Sequence, residues 1–196
     1  MSALGFADPA FESQAAFRAI LKAIASPGAI ETCGKGLAPP PPLAPAAAAV
    51  ILTLADFETP LWIAPSLAAN REAVAYLKFH TGVLNAGSPD EAAFALIDLE
   101  WDALDLTSFR QDSPEYPDRS TTIVAQTRSL TRRPALRISG PGLRGATEIE
   151  FEPMPHDFLA QWRANHSRFP LGVDLILVHG VELAVLPRSV RITGGE

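Results

Sequence analysis

The sequence is poor in cysteine and lysine. Cys33 is the single cysteine among 196 residues, which excludes an internal disulfide and any site that needs several cysteine ligands, such as an iron–sulfur cluster. The lysines are three in number, against thirteen arginines, and they are Lys22, Lys35 and Lys78. Chemistry that requires a lysine nucleophile therefore has few positions open to it.

The sequence also lacks a run that predicts a membrane span or a secretory signal. Its longest uncharged stretch, Gly36–Ala55, holds five prolines in its first half, which is therefore not helical. The remainder, Pro45–Ala55, is about half the ~20 residues that a spanning helix needs, so it predicts a buried helix instead. Met1–Glu12 has neither the basic nor the apolar region of a signal peptide. We expect a cytoplasmic protein with no membrane partner.

Length and composition favour one domain over residues 1–196, since domains usually have roughly 100–200 residues. Hydrophobic residues make up 47% and charged residues 19%, which is enough apolar material for a core. The formal net charge of −6 argues against a nucleic-acid partner, because such proteins present a basic face.

The hydrophobic pattern predicts an α/β domain with a mixed sheet flanked by helices. The first helix begins at Asp8-Pro9 or nearer Glu12 and ends at Ser26-Pro27-Gly28. The other expected helices are Pro45–Ala55, Ser66–Lys78 with Ser66 as its cap, and His156–Asn165. The expected strands are Leu61–Ala64, Ala92–Leu99, Thr121–Thr127, Ala135–Ser139, Thr147–Phe151, Val173–Val178, Glu182–Leu186 and Val190–Thr193. The almost wholly apolar Val173–Val178 predicts a sheet covered on both faces.

The loop Ser139–Gly145 is the most distinctive local motif. Gly140 and Gly142 can present backbone N–H groups to an anion, and Arg144 can add positive charge. The alternative is a tight turn between strands, in which glycine supplies a positive φ. We favour the turn, because a strand-like segment follows the loop, whereas phosphate loops more often lead into a helix.

Charge is unevenly distributed along the second half of the chain. Residues 98–118 hold seven acids and one base, and residues 119–147 hold six arginines and no acid. Two solvated loops that partly neutralise each other are the plainer interpretation. The alternative is a docking surface that orients a partner.

A few further side chains are candidates for a site. His80, with Thr81, follows a predicted helix, where capping of the last carbonyls is a more common role than catalysis. Arg188, between two predicted strands, is either half of a buried ion pair or a ligand clamp. Cys33 is interpreted as a small core residue. The four histidines do not have metal-ligand spacing, and we expect no metal site.

Seven short segments, in their order and spacing, resemble one known family, and the resemblance spans nearly the whole chain. They are Phe17-Arg18 through Ser26-Pro27-Gly28, Asp56-x-Glu58-Thr59-Pro60, Phe79-His80-Thr81-Gly82, Pro114-Glu115-Tyr116-Pro117, Ser139-Gly140-Pro141-Gly142, Phe169-Pro170-x-Gly172-Val173-Asp174 and Leu186-Pro187-Arg188. The set is similar to the H subunit of the carbon–phosphorus lyase core complex. The junction Tyr116–Thr121 departs from the glycine- or alanine-rich turn expected there.

The resemblance implies a fold like the large domain of pyridoxal-phosphate-dependent transferases, without the cofactor. A pyridoxal enzyme needs a Schiff-base lysine, and none of the three lysines follows a strand in the expected setting. We therefore expect no bound pyridoxal phosphate and no other cofactor.

The resemblance also implies partners and a role. The family forms homodimers and joins the G, I and J subunits, in a system that uses ATP and alkylphosphonate to make ribose 1-alkylphosphonate 5-triphosphate. It implies an accessory chain that is not catalytic by itself. The alternative is a small anion- or nucleotide-binding enzyme with a cleft at the dimer interface. Its candidate ligands are His80, Thr81, Gly140, Gly142, Arg144 and Arg188.

Overall fold

The computed structural model describes residues 5–113, 115–116 and 119–194. The helices of these residues are α1 (Pro9–Ala25), α2 (Pro45–Leu54), the single turn α3 (Pro65–Ala68), α4 (Arg71–Thr81) and α5 (Phe158–Ser167). The strands are β1 (Glu31–Thr32), β2 (Pro60–Ile63), β3 (Leu84–Asn85), β4 (Phe94–Asp98), β5 (Thr122–Gln126), β6 (Ser129–Ser139), β7 (Ala146–Glu152), β8 (Asp174–His179), β9 (Glu182–Leu186) and β10 (Arg191–Gly194).

A seven-stranded mixed sheet lies at the centre of the fold, as the sequence predicts. Its order is β1-β9-β8-β5-β4-β2-β3. Strands β3, β2, β4, β5 and β8 are parallel to their neighbours in this series, and β9 is antiparallel to both β8 and β1. The strand order reverses between β2 and β4. In an open α/β sheet, the carboxyl ends of such strands are the usual ligand crevice.

Both faces of this sheet are buried, as the apolar run Val173–Val178 predicts. Side chains alternate between two cores along each strand: Val124 of β5 packs into the first core, and Ile123 and Ala125 pack into the second. Helices α1, α2 and α4 close the first core. Helix α2 is its most enclosed part, because the run from Ala46 through Ile51 is wholly shielded from solvent.

A second, three-stranded antiparallel sheet covers the other face, together with α5. Its order is β10-β6-β7. The expectation of one sheet flanked by helices is therefore correct for the first face and incomplete for the second. Residues Leu136 and Ile138 of β6 and Ile149 of β7 alternate with exposed neighbours and are fully buried. A sheet with one apolar face must bury it against another layer, and here that layer is the central sheet.

Helix α1 begins at the earlier of the two expected positions. The Asp8 side chain accepts a hydrogen bond from the Phe11 N–H, and Pro9 occupies the first turn. Ser26 ends the helix as predicted, and Gly28 follows it with φ +77°. The helix buries Ile20 but leaves the apolar side chains Phe17, Leu21 and Ile24 partly open to solvent.

The single helix expected over Ser66–Lys78, with Ser66 as its cap, is wrong. The structure has the short turn α3, a break, and then α4. The cap of α4 is Asn70, whose side-chain oxygen accepts from the Glu72 and Ala73 N–H groups at 3.1 and 3.0 Å. The Ser66 hydroxyl instead donates to the carboxylate of Asp102, which follows β4. This partner is distant in sequence, so local pattern does not reveal it.

Other differences concern strand length. Strand β6 begins earlier than the predicted Ala135–Ser139 and crosses an irregularity in its pairing with β7 between Thr131 and Leu136. The two-residue strands β1 and β3 are too short to leave an alternating pattern. Within the described ranges, no helix is long and apolar enough to cross a membrane.

Candidate functional site

The segments that carry the resemblance gather largely at the edge of the central sheet where its parallel strands begin, here called the amino edge. Asp56–Pro60 leads into β2, Phe79–Gly82 ends α4 before β3, and Phe169–Asp174 leads into β8. Leu186–Arg188 leaves the antiparallel β9 at the same edge. The segment Pro114–Pro117 lies before β5, but Pro114 and Pro117 are outside the described residues.

Thr81 ends helix α4. Its hydroxyl donates to the Leu77 carbonyl at 2.7 Å and accepts from the Val83 N–H at 3.1 Å. Gly82 then adopts the left-handed conformation, with φ +71°, that closes the helix. The hydroxyl of Thr81 is therefore part of a helix end, and a ligand role for it stays a prediction.

His80 is half-buried in contact with the chain's own residues. Its imidazole packs edge-on against Tyr76, with ring centroids 4.6 Å apart, and against Phe79 at 5.0 Å. The backbone of Gly5 lies so close that a Cβ there would be 2.8 Å from the His80 Nδ1. The segment before α1 thus lies over the ring, and access of a ligand to it also stays a prediction.

Arg188 is half of a partly buried ion pair. Its Nε donates to both carboxylate oxygens of Asp174 at 3.2 Å, and its backbone N–H donates to Oδ1 of Asp174 at 2.7 Å. The two side chains are 13% and 26% exposed. The structure shows the ion pair, which joins the start of β8 to the loop after β9, and a ligand role for Arg188 stays a prediction.

Asn165 supports this pair and was not singled out from the sequence. Its amide donates to the Val173 carbonyl at 2.9 Å and accepts from the Val173 N–H at 2.8 Å, so it completes the backbone pairing of a buried strand end. Gly172, with φ +108°, lies against it, and a Cβ there would be 2.6 Å from the Asn165 Oδ1. The only sequence signal for this role is an asparagine within a segment of helical pattern.

The loop before β5 holds strained and unsatisfied groups at the amino edge. Asp112 has φ +71°, the one non-glycine residue of the described chain with positive φ. Its Oδ2 and the Ser120 hydroxyl are buried with no hydrogen-bond partner among the described residues. Arg110 lies 3.8 Å from the other Asp112 oxygen. Unsatisfied buried groups and backbone strain are concentrated at functional sites more than elsewhere.

The Ser139–Gly145 loop is the turn of the β6–β7 hairpin, which agrees with the favoured interpretation. Gly140, Gly142 and Gly145 all have positive φ. Gly140 lies against Ser189 and Val190, and a Cβ on Gly142 would overlap the Ala25 carbonyl. Arg144 is exposed. The turn thus packs on the end of α1 and beside the Arg188 loop, and an anion-binding role for it remains a prediction.

At β4 and β5 the carboxyl edge, where a ligand crevice is usual, is covered by the chain itself. Residues 39–44, here called the proline strap, lie over the end of β5. The Gln126 side chain accepts from the Ala44 N–H at 2.7 Å and donates to the Pro42 carbonyl at 3.1 Å and to Asp98 at 3.2 Å. The side-chain amide of Asn70 donates a hydrogen bond to the Pro41 carbonyl at 2.7 Å.

Asp102 fills the position between β2 and β4 where the strand order reverses. Its carboxylate accepts from the Ser66 N–H at 3.3 Å and from the Asp98 N–H at 3.1 Å, besides the Ser66 hydroxyl. These groups satisfy one another. The carboxyl ends of β4 and β5 therefore carry a network of structural hydrogen bonds, whereas a cavity of about 330 Å³ lies at the ends of β2 and β3.

The pKa shifts agree with structural roles for three titratable groups. Burial raises the pKa of the Cys33 thiol to about 11. Hydrogen bonds from Thr59, and then from the Glu58 N–H, hold the pKa of Asp56 below its ordinary value. Burial raises the pKa of the Tyr76 phenol. A catalytic thiol or carboxyl would need shifts toward neutral pH, which none of these three shows.

The three lysines stand on two helices and after one strand. Lys22 lies on α1 and pairs with Glu31 at 2.8 Å, Lys35 follows β1, and Lys78 is exposed on α4. Strand β1 runs parallel to β8, so Lys35 lies beyond its carboxyl end, and the absence of pyridoxal phosphate stays an expectation. Among the described residues there is also no group of three or more histidine, cysteine or acidic side chains placed to hold a metal ion.

Fold and site together define a class: a three-layer α/β protein whose central mixed sheet is covered by the chain at the carboxyl ends of β4 and β5 and has a polar, ion-paired amino edge. The comparisons with known proteins narrow this class. Residues 4–193 match the model of PhnH, described as a bacterial phosphonate metabolism protein.

Two curated relatives agree with that match. The chain is 37% identical over 187 residues to alpha-D-ribose 1-methylphosphonate 5-triphosphate synthase subunit PhnH of Rhizobium meliloti (strain 1021), covering 95% of this chain and 93% of that protein. It is also 37% identical over 83 residues to HtxG of Stutzerimonas stutzeri, named as a candidate C-P lyase subunit, covering 42% and 43% of the two chains. The chain belongs to the PhnH family.

Proposed function

We propose that this chain is an accessory subunit of a carbon–phosphorus lyase system, needed to make ribose 1-alkylphosphonate 5-triphosphate from ATP and an alkylphosphonate. Its role is to hold an assembly together, and it is not catalytic alone. The relative that is named as a subunit of this synthase covers nearly the whole chain, which supports the role.

The observation that carries the assembly role is an exposed apolar stripe on α1. Phe17, Leu21 and Ile24 follow one another at helical spacing and are 44%, 47% and 43% exposed. They stand on one helix face, whereas Ile20 on the adjacent face is buried. Contiguous exposed apolar side chains mark surfaces that bind other proteins.

Further parts of the proposal go with this role. The chain forms a homodimer, contacts the G, I and J subunits, and works in the cytoplasm as a single domain over residues 1–196. Its central sheet corresponds to the large domain of pyridoxal-phosphate-dependent transferases without the cofactor. A seven-stranded, mostly parallel sheet with helices on one face supports that correspondence.

The experiment is a co-purification of the complex with a charged stripe. Leu21→Glu places a carboxylate in the centre of the stripe and leaves the buried Ile20 untouched. We expect the variant chain to fold with an unchanged circular dichroism spectrum and to be lost from complexes purified through a tag on the J subunit. Synthase activity in the purified fraction falls in parallel.

The control is Ala75→Glu, which adds the same charge to an exposed apolar position of α4. It should co-purify as wild type does. If complexes lacking the chain form and turn over at the wild-type rate, the accessory role is wrong. If Leu21→Glu co-purifies normally, the α1 stripe is not the contact.

A further inference from the structure

A groove lies between α5 and β10. Its volume is about 200 Å³. The residues that line it are Trp162, Arg163, His166, Arg191, Ile192 and Thr193. Arg163 and Arg191 are exposed at its rim, and Trp162 and Ile192 are buried beneath it. The groove therefore combines two cations with apolar surface.

Hydrogen bonds fix the polar side of the groove. The His166 Nδ1 lies 3.0 Å from the Arg188 carbonyl oxygen, which only accepts, so Nδ1 carries the proton. In the neutral ring Nε2 is then an acceptor, and it takes the Arg191 Nε–H at 3.4 Å. This contact uses one of the five N–H donors of the Arg191 guanidinium and leaves its two terminal nitrogens for another partner.

The charge around the groove is positive although the whole chain is acidic. Neither α5 nor β10 contains an acidic residue, nor does β6, the strand hydrogen-bonded to β10. Arg163 and Arg191 make no ion pair with any described residue. The nearby Arg188 is neutralised by Asp174. Two guanidinium groups at one groove thus lack a carboxylate counterpart in the described part of the chain.

The ligand must match this mixture of charge and apolar surface. Two arginines complement a dianion, and the fork of each guanidinium suits the paired oxygens of a tetrahedral phosphonate or phosphate. A groove of this volume accommodates one such group with a short substituent. Trp162 and Ile192 are 0% and 3% exposed, so the apolar surface that the groove offers is that of the alkyl and methyl parts of its other side chains, which suit an alkyl group better than a hydroxyl.

We propose that the α5–β10 groove binds one small organophosphonate or phosphate monoester through Arg163 and Arg191. His166 is a positioning residue, because it holds the Arg191 guanidinium. All side chains of this site belong to this chain, so the subunit would bind the ligand without a partner. The choice of a phosphonate among such anions rests on the proposed function, whereas the oxyanion chemistry rests on the groove alone.

The test is a titration of the purified full-length chain with methylphosphonate, inorganic phosphate and sulfate, followed by calorimetry and by ³¹P NMR for the first two. We expect methylphosphonate to bind more tightly than either inorganic anion. Arg163→Gln and Arg191→Gln should each weaken binding about tenfold, because each removes a charge-assisted hydrogen bond. His166→Ala should weaken it less than either arginine change.

Two control variants locate the site. Arg132→Gln removes an exposed charge from β6, and Arg144→Gln removes the arginine of the β6–β7 turn. Both should bind methylphosphonate within about twofold of wild type. Loss of binding in Arg144→Gln alone would move the site to the turn and overturn the proposal. Equal effects in all four arginine variants, or no heat with any of the three anions, would overturn it as well. The accessory role is tested separately by co-purification of the complex, so failure of anion binding would not contradict that role.

Discussion

At Gly142 the absence of a side chain decides how closely the β6–β7 turn approaches the end of α1. Its φ of +84° is disfavoured for other residues, and the Ala25 carbonyl oxygen occupies the place of a Cβ. Gly145, three residues later in the same turn, also has positive φ but has nothing within 4 Å of the place of its Cβ. The two glycines therefore separate the cost of conformation from the cost of a backbone clash.

We predict that Gly142→Ala lowers the free energy of unfolding by about 3 kcal/mol, and Gly145→Ala by about 1 kcal/mol. Both changes share the strain of positive φ, and the first adds the collision with backbone. Urea unfolding at equilibrium measures both. Equal losses would show that the turn moves away from α1 without cost.

A second residue-scale prediction concerns the Asp174–Arg188 pair. Asp174→Asn keeps the shape of the side chain but removes the charge that three donors of Arg188 contact. We expect the free energy of unfolding to fall by about 2 kcal/mol, because a partly buried guanidinium loses its counterion.

The exposed Arg128–Glu152 pair is the matched control for this change. Its side chains are 58% and 53% exposed. Glu152→Gln should cost under about 1 kcal/mol, as exposed ion pairs contribute little. A similar small loss for Asp174→Asn would mean that water replaces the carboxylate at Arg188.

At the scale of elements, the proline strap depends on one glutamine. Gln126→Ala removes the acceptor of the Ala44 N–H and the donor to the Pro42 carbonyl. We predict that hydrogen exchange at the Ala44 amide accelerates about tenfold, since a local hydrogen bond of this kind is lost.

Gln161→Ala tests whether this effect is specific. Gln161 fastens another loop in the same manner, accepting from the Leu106 N–H at 2.9 Å and donating to the Leu104 carbonyl at 2.8 Å. Its loss should speed exchange at Leu106 and leave Ala44 unchanged. Acceleration at both amides in both variants would indicate a global loss of stability and contradict the prediction.

These elements also show what sequence can and cannot predict. Amphipathic spacing and a cap residue locate α1, the apolar run after Pro45 locates α2, and apolar patterning locates most strands, because those signals are local. The break between α3 and α4 was missed, since Ser66 bonds to Asp102 far along the chain and Asn70 is the true cap. Distant partners also fix the side chains of Gln126, Asn165 and Arg188. Residue type alone therefore did not assign their structural roles.

The acidic stretch after β4 has a similar explanation at this scale. Asp98, Asp102 and Asp105 accept hydrogen bonds from nearby backbone N–H groups and so close the turns that follow the strand. Asp118 is outside the described residues. This part of the charge asymmetry is therefore used in turn formation, whereas arginines on β6, α5 and β10 are available for binding.

At the scale of the whole molecule, Cys33 connects pH to stability. Burial raises its pKa to about 11 from an ordinary value of 9.0. The unfolded thiol thus ionises first as pH rises, and the folded state loses stability between about pH 9 and pH 11, with full stability below that range.

We predict that the wild-type free energy of unfolding falls between about pH 9 and pH 11 relative to Cys33→Ala, at no more than about 1 kcal/mol per pH unit. Tyr76 is present in both proteins, so the difference isolates the thiol. Denaturant unfolding at several pH values measures it. Parallel curves for the two proteins would show that the folded thiol ionises as freely as the unfolded one.

The enclosure of α2 has a consequence for how the chain is made. Its run from Ala46 through Ile51 is fully shielded in the folded protein, and the sheet residues that cover it, such as Val124 and Ile176, leave the ribosome long afterwards. An apolar decapeptide is therefore uncovered for most of synthesis, when chains are prone to aggregate. Soluble yield should thus depend on chaperone supply more than the stability of the finished protein would suggest.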